Sequence, residues 1–306
     1  MPEKITDLTA FSPAKVNLHL AVKERRPDGY HNLESIFLSV GFGDTLNFSL
    51  LKSSKNEISM ASEKKSIFIP FKDNIIYKAV MLFKEKTGFS HSFKINVKKR
   101  IPIGGGLGGG SSNAACTLLS LNKMTGNPLN RSELLKMAAS LGSDAPFFIF
   151  QTAAAYVTGR GENIKPVSLP LVFLVLVNPG FSSNTARAFK LFDDYIKNAS
   201  CLNNDAQRTH SSALISGIDL QEIHNNYELF SNDFLPVFPQ QEKSIYDNII
   251  YKLKESGADY ANLSGAGSTC FGVYKNEEHA KNAAESLRGN NKWIVEFCKT
   301  FDNFTL

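Results

Sequence analysis

The 306-residue sequence has little of what marks secreted, zinc-binding or membrane proteins. Its four cysteines, Cys116, Cys201, Cys270 and Cys298, are scattered without C-x-x-C spacing, which argues against a disulfide framework and a zinc site. The longest apolar run, Leu171–Val177, is far shorter than the roughly 20 residues that cross a bilayer. No N-terminal stretch resembles a signal peptide, so we expect a cytoplasmic protein that contacts no membrane.

Charge is not concentrated in any part of the chain. The formal net charge of +5 is spread along it, and the nearest thing to a basic run is Lys98–Arg100. That is too little for a nucleic-acid partner, although it suits an anionic small molecule. The length is just past the size at which single cores usually split, so we expect two domains, 1–165 and 166–306. Nothing in the sequence indicates the oligomeric state.

Apolar periodicity predicts the first strand. Ala14, Val16 and Leu18 alternate with polar residues, which is typical of a half-buried strand with Lys15 and Asn17 together on the other face.

Further along, predicted strands and helices mix without a regular βαβ repeat. A strand through Phe93–Lys98 precedes a glycine cluster, and Asn130–Glu133 has the pattern of a capping box that starts a helix. In the second half, Leu171–Val177 is typical of a fully buried strand and Glu277–Leu287 of a polar helix. This mixture favours an α+β fold over a doubly wound sheet.

The glycine cluster Gly104–Ser112 (GGGLGGGSS) is the most informative segment, with six glycines in seven residues. It sacrifices more backbone entropy than a turn requires, so something must approach this backbone closely. The cluster lies between a predicted strand and a helix that is predicted to start at Ser111, so its free amides and the helix dipole favour binding of a phosphate. A Cβ at Gly106 is predicted to obstruct that phosphate. The alternative is a flexible linker, which is not expected between such elements.

Three nucleotide-binding patterns compete for this loop. A Walker-type loop needs lysine after the last glycine, where this chain has Ser111. The dinucleotide pattern G-x-G-x-x-G is met, but the acidic residue expected about twenty positions onward is missing and Pro102 interrupts the strand. A kinase-type loop remains, in which Ser111 or Ser112 offers a hydroxyl to phosphate or Mg²⁺.

Five segments together resemble a known family, the GHMP kinases. Pro102–Ala115 (PIGGGLGGGSSNAA) resembles the second signature of that family, and Leu263–Gly272 (LSGAGSTCFG) the third. Pro13–Leu20 (PAKVNLHL), Arg25–Asn32 (RRPDGYHN) and Leu141–Phe148 (LGSDAPFF) agree in order and position. The third signature departs from the commoner S-G-S-G form through an alanine, which removes one hydroxyl.

The resemblance implies a two-domain α+β architecture. The N-terminal ATP-binding domain, 1–165, is expected to be ribosomal-protein-S5-domain-2-like, and the C-terminal substrate-side domain, 166–306, ferredoxin-like. The implied activity is Mg²⁺-assisted transfer of the ATP γ-phosphate to the 2-hydroxyl of 4-diphosphocytidyl-2-C-methyl-D-erythritol. Arg25–His31 favours this substrate over homoserine, mevalonate or a sugar. A non-catalytic nucleotide-binding module is the other alternative, against which Lys15 and Asp144 argue jointly.

Residue roles follow from the resemblance position by position. Lys15 is implied to lie near the transferred phosphate, and Asp144 to accept the proton of the substrate hydroxyl or to orient it. Taken alone, Lys15 is typical of a solvated strand lysine, and Asp144, just before Ala145 and Pro146, of a helix start.

Two sets of binding residues are implied. The substrate set is Asn17, Tyr30, His31 and Phe189; Tyr30 and His31 would hold the cytidine end, and Phe189 would stack on the base or belong to the core. No residue is assigned as a metal ligand. The implied ATP-binding residues are Pro102, Gly104, Gly105, Gly106, Leu107, Gly108, Gly109, Gly110, Ser111 and Ser112.

Overall fold

The computed structural model describes residues 6–52, 55–62, 66–201 and 227–302. Over its first half this part of the chain forms a seven-stranded sheet in the order β4-β3-β5-β2-β6-β7, with β1 paired to β2. All pairs are antiparallel except β3 with β5. The elements are β1 (Asp7–Arg25), β2 (His31–Leu51), β3 (Glu57–Ala61), β4 (Ser66–Ile67), α1 (Ile75–Thr87), β5 (Ser92–Lys98), α2 (Gly109–Met124), α3 (Arg131–Leu141), α4 (Ala145–Phe150), β6 (Ala154–Gly159) and β7 (Asn163–Val167).

The second half forms a four-stranded antiparallel sheet in the order β11-β8-β10-β9. Its elements are β8 (Phe173–Asn178), α5 (Thr185–Cys201), two 3₁₀ turns (Tyr227–Leu229 and Leu235–Val237), α6 (Gln240–Glu255), β9 (Tyr260–Leu263), β10 (Cys270–Tyr274), α7 (Glu277–Arg288) and β11 (Ile294–Lys299). The predicted α+β class is confirmed, whereas the domain boundary at residue 165 stays a prediction.

Three buried clusters show a helix–sheet–sheet–helix layering. Helices α1–α4 pack on one face of the first sheet, and α5–α7 on the outer face of the second. Between the sheets, Val16 of β1 shares a cluster with Leu174 and Leu176 of β8, while the alternate β8 residues Val175 and Val177 face the outer helices. The apolar run of β8 is therefore continuous because both of its faces are covered.

The prediction of a half-buried first strand is wrong. The polar residues Lys15, Asn17 and His19 are as buried as their apolar neighbours, with exposed fractions of 4%, 2% and 0%. The glycine loop covers this face, where the Lys15 N–H donates to the Leu107 carbonyl at 3.0 Å. The alternation thus separates an apolar core face from a buried polar face, and the site lies on the latter.

Candidate active site

The ammonium of Lys15 is fixed from several sides. Its Nζ donates to Asn17 Oδ1 at 2.6 Å, lies 3.3 Å from Asp144 Oδ2, and is 4.7 Å from the centre of the Phe37 ring. A charge this buried is tolerated only with such partners. Lys15 is therefore not the solvated strand lysine that its type alone suggests.

Asp144 occupies the position before α4 without capping it. Its side chain makes no capping hydrogen bond to the helix and instead contacts Lys15, with 30% of the side chain exposed. The helix-cap alternative thus does not describe its contacts. A carboxylate paired on one side and open on the other can accept a proton from a bound hydroxyl.

The glycine loop ends in a helix start without a side-chain cap. Helix α2 begins at Gly109, two residues before the predicted start at Ser111, and its N-cap is Gly108, with φ +69°. Because Gly108 has no side chain, the amides of the first turn stay available to an external acceptor. With the helix dipole they form an anion site.

Packing within the protein gives a further reason for a glycine at position 106. A Cβ on this residue would overlap the carbonyl oxygen of Ser264 and lie 2.8 Å from that of Gly267. The same turn holds the loop, since Ser264 Oγ donates to the Gly106 carbonyl at 3.0 Å and the Thr269 N–H to that of Gly105 at 3.1 Å. Close packing against this turn excludes a side chain at Gly106, and the approach of a phosphate to this residue stays a prediction.

The two serines after the loop differ in orientation. Ser112 is 1% exposed, and its hydroxyl lies 2.7 Å from Ser12 Oγ, which also donates to Asn113 Oδ1 at 2.8 Å. Ser111 lies on the wall of the adjoining cavity. Of the two serines, only Ser111 is part of the cavity wall, whereas the hydroxyl of Ser112 is held inside the protein.

A cavity of about 440 Å³ brings most of the predicted site together. Its wall includes Lys15, Asn17, Asp144, Phe189 and residues 102–111.

The cavity wall also includes residues that the sequence did not single out as site residues, among them Asn74 and Lys99. Asn74 caps α1 by accepting from the Ile76 N–H at 3.0 Å, so its pattern indicates a helix start and nothing more. Lys99 belongs to the short basic run, where only its surroundings distinguish it.

A buried carboxylate holds the segment that leads into the loop. Asp44, fully buried, forms an ion pair with Lys99 and accepts from the Arg100 N–H at 2.7 Å and the Ile101 N–H at 2.9 Å. One side chain thereby fixes both a cavity lysine and the backbone just before the glycines.

Of the predicted cytidine residues, one lies on the cavity wall and a second stacks on it. Phe189 lines the cavity and stacks on the His31 ring, with centres 5.6 Å apart and planes 14° apart. His31 is buried, with Nδ1 2.9 Å from the Lys23 carbonyl and Nε2 2.9 Å from Asp193 Oδ1. Tyr30 is 54% exposed and, like His31, is not part of the cavity wall.

The described residues include neither a membrane-spanning helix nor a cluster of metal-binding side chains. No helix among them is long and apolar enough to cross a membrane. Nor do they contain a group of three or more His, Cys, Asp or Glu side chains that could hold a metal ion.

Comparison with known proteins identifies relatives along nearly the whole chain. Residues 74–152 match the GHMP kinases N-terminal domain, and residues 217–292 the GHMP kinases C-terminal domain. Two proteins named 4-diphosphocytidyl-2-C-methyl-D-erythritol kinase are similar: that of Syntrophus aciditrophicus is 35% identical over 95% of this chain and 98% of its own, and that of Thermodesulfovibrio yellowstonii 34% identical over 92% and 95%.

Two solved structures are similar to this protein along nearly its whole length. One of 4-(cytidine 5'-diphospho)-2C-methyl-D-erythritol kinase has a TM-score of 0.73 and 27% identity, covering 95% of this chain and 99% of its own. Homoserine kinase from Cytophaga hutchinsonii, at TM-score 0.69 and 15% identity, covers 100% and 98% and shares the fold.

Proposed function

Because the chain belongs to the GHMP kinase family, we propose that it transfers the γ-phosphate of ATP to the 2-hydroxyl of 4-diphosphocytidyl-2-C-methyl-D-erythritol. It is an ATP-dependent small-molecule kinase, and its relatives at 34–35% identity along nearly the whole chain are kinases named for this substrate. The observation that carries the proposal is the pairing of Lys15 with Asp144 in the cavity that the glycine loop also lines. Because ATP is retained inside cells, the proposed location is the cytoplasm.

The cavity suits two ligands that meet at the loop. The phosphates of ATP would accept from the amides at the start of α2, as anions do at helix N-termini. The nucleoside would extend toward Asn74 and Lys99, and the cytidine substrate toward Phe189, beside His31.

Phosphoryl transfer then needs few groups from the protein. As the substrate oxygen bonds to the γ-phosphorus, the bond to the bridging β–γ oxygen breaks, ADP leaves, and the hydroxyl proton passes to Asp144. Lys15 lies beside Asp144 and would balance negative charge on the transferred group. Asn17 keeps Lys15 directed toward this point.

Mg²⁺ fits this cavity as a companion of ATP. Mg²⁺ is usually bound by one or two carboxylates together with substrate phosphates. Ser111 lies on the cavity wall, and its hydroxyl would be one oxygen ligand in such a shell beside the phosphate oxygens. The ion would neutralise phosphate charge during transfer.

A substrate panel tests the proposal. ADP production is measured with the cytidine substrate, homoserine, mevalonate and galactose, and mass spectrometry identifies the product. We expect turnover with the cytidine substrate and formation of its 2-phosphate. Turnover only with another alcohol would assign a different kinase activity, and ATP binding without turnover on any of them would indicate a non-catalytic module.

A further inference from the structure

A β-bulge interrupts the pairing of β1 with β2 beside the site. Asn17 pairs with Phe37 and His19 with Ile36, so Leu18 is the extra residue. Such a residue disrupts the ladder locally, and bulges often lie next to active sites, where they redirect side chains.

Side chains contact the backbone of β1 around this bulge. The Asn17 N–H donates to Ser264 Oγ at 3.4 Å, and the hydroxyl of Ser35 donates to the carbonyl of His19. The second contact leaves the Ser35 oxygen free to accept a hydrogen bond. It accepts one from Asn17 Nδ2 at 2.9 Å.

These contacts determine which atom of the Asn17 amide faces Lys15. A lysine ammonium only donates, so the atom of Asn17 that faces it, 2.6 Å away, must be the carbonyl oxygen. The amide nitrogen of Asn17 must then donate elsewhere, and Ser35 is its acceptor. Lys15, Asn17 and Ser35 are 4%, 2% and 1% exposed, so bulk water does not replace a missing partner.

We propose that Ser35 is a positioning residue for phosphoryl transfer, because its hydroxyl orients the amide of Asn17 and thereby holds the Lys15 ammonium beside Asp144. This rests on the proposed function, in which Lys15 and Asp144 act at the acceptor hydroxyl. Without the Ser35 oxygen, the amide nitrogen of Asn17 loses its acceptor. The amide can then turn over and present N–H groups to the ammonium, which repel it.

The variant Ser35→Ala tests this role. We expect kcat to fall by about 5- to 20-fold, the effect of one lost buried hydrogen bond, while KM for both substrates stays within about twofold of the parent. Ser35→Thr keeps the hydroxyl and should restore most of kcat. Parent-like kcat in Ser35→Ala would overturn the proposal.

Ser256→Ala is the control. Ser256 is not part of the cavity wall, and its hydroxyl donates to the Leu253 carbonyl at 2.8 Å and lies 2.9 Å from Tyr274 Oη. It should lose stability and keep parent kcat; equal kcat losses in Ser35→Ala and Ser256→Ala would reduce Ser35 to a structural role. In an Asn17→Ala background, Ser35→Ala should cost no further kcat, and additive losses would contradict the chain of contacts.

A crystal structure of Ser35→Ala provides a readout that needs no activity. We expect the contact between Lys15 Nζ and Asn17 Oδ1 to be lost or lengthened, and its retention at the parent distance would overturn the proposal. The kcat comparison uses whichever alcohol the parent phosphorylates. Failure of the parent on the cytidine substrate therefore rejects the proposed function alone, while Ser35 is still decided by the contact and the kcat ratios.

Discussion

Replacing Asp144 by asparagine should separate binding from chemistry. The amide is nearly the same shape as the carboxylate, and α4 does not depend on it because the Asp144 side chain makes no capping hydrogen bond. Lys15 keeps Asn17 Oδ1 at 2.6 Å as a partner, so the ammonium stays in place. We therefore expect Asp144→Asn to fold and to bind both substrates like the parent, yet to lose most of its kcat.

The size of the loss follows from what the amide cannot do. It cannot accept the proton of the hydroxyl, and general-base catalysis contributes roughly 10²- to 10⁴-fold, or about 2.7–5.5 kcal/mol of activation free energy. The ion pair with Lys15 adds little to folding, because Asp144 is 30% exposed and such pairs contribute about 1 kcal/mol or less. The change in kcat should therefore far exceed any change in the free energy of unfolding.

Three measurements decide this prediction. ADP production at saturating ATP and substrate gives kcat, calorimetric titration gives both affinities, and urea denaturation gives stability. Asp247→Asn is the control, since Asp247 pairs with Lys243 at 2.6 Å on an exposed face of α6 and should keep full turnover. Parent-like affinities together with turnover within about threefold of the parent would refute a catalytic role for Asp144.

Four further variants test other parts of the structure. Gly106→Ala should lower the free energy of unfolding by about 1–3 kcal/mol, because its Cβ would overlap backbone atoms. In Gly110→Ala the Cβ meets nothing closer than 3.9 Å, so the protein should stay stable. Because Gly110 lies on the cavity wall, this variant should instead raise the KM for ATP. Asp44→Ala should cost about 3–5 kcal/mol in urea denaturation because Lys99 is left buried and unpaired. Burial lowers the pKa of His19 from 6.5 to about 4, so the unfolded chain binds a proton here more readily than the folded protein. The free energy of unfolding is therefore at its full value above pH 6.5 and decreases as the pH falls to 4. His19→Asn should remove about 3 kcal/mol of that pH dependence, measured as unfolding free energy against pH.

Local sequence patterns were sufficient to predict several helices and strands correctly. The predicted capping box at Asn130 and Glu133 is present with both of its hydrogen bonds, and Gly142 is the C-cap of that helix. These signals depend on residues within one turn of each other, so they can be read without knowledge of the rest of the chain. The same holds for β8, whose apolar run is short enough to indicate a buried strand.

The family, the α+β class and the segments that carry the site can be read from the amino-acid sequence, because each motif is a short run with its own spacing. How these segments meet is visible in the tertiary structure alone. It buries the polar face of β1, turns Ser112 inward, makes Gly106 a packing position, and links Ser35 to Lys15 through Asn17. Each of these depends on contacts between elements far apart in the chain, and residue type and local period carry no information about which distant group will be the neighbour.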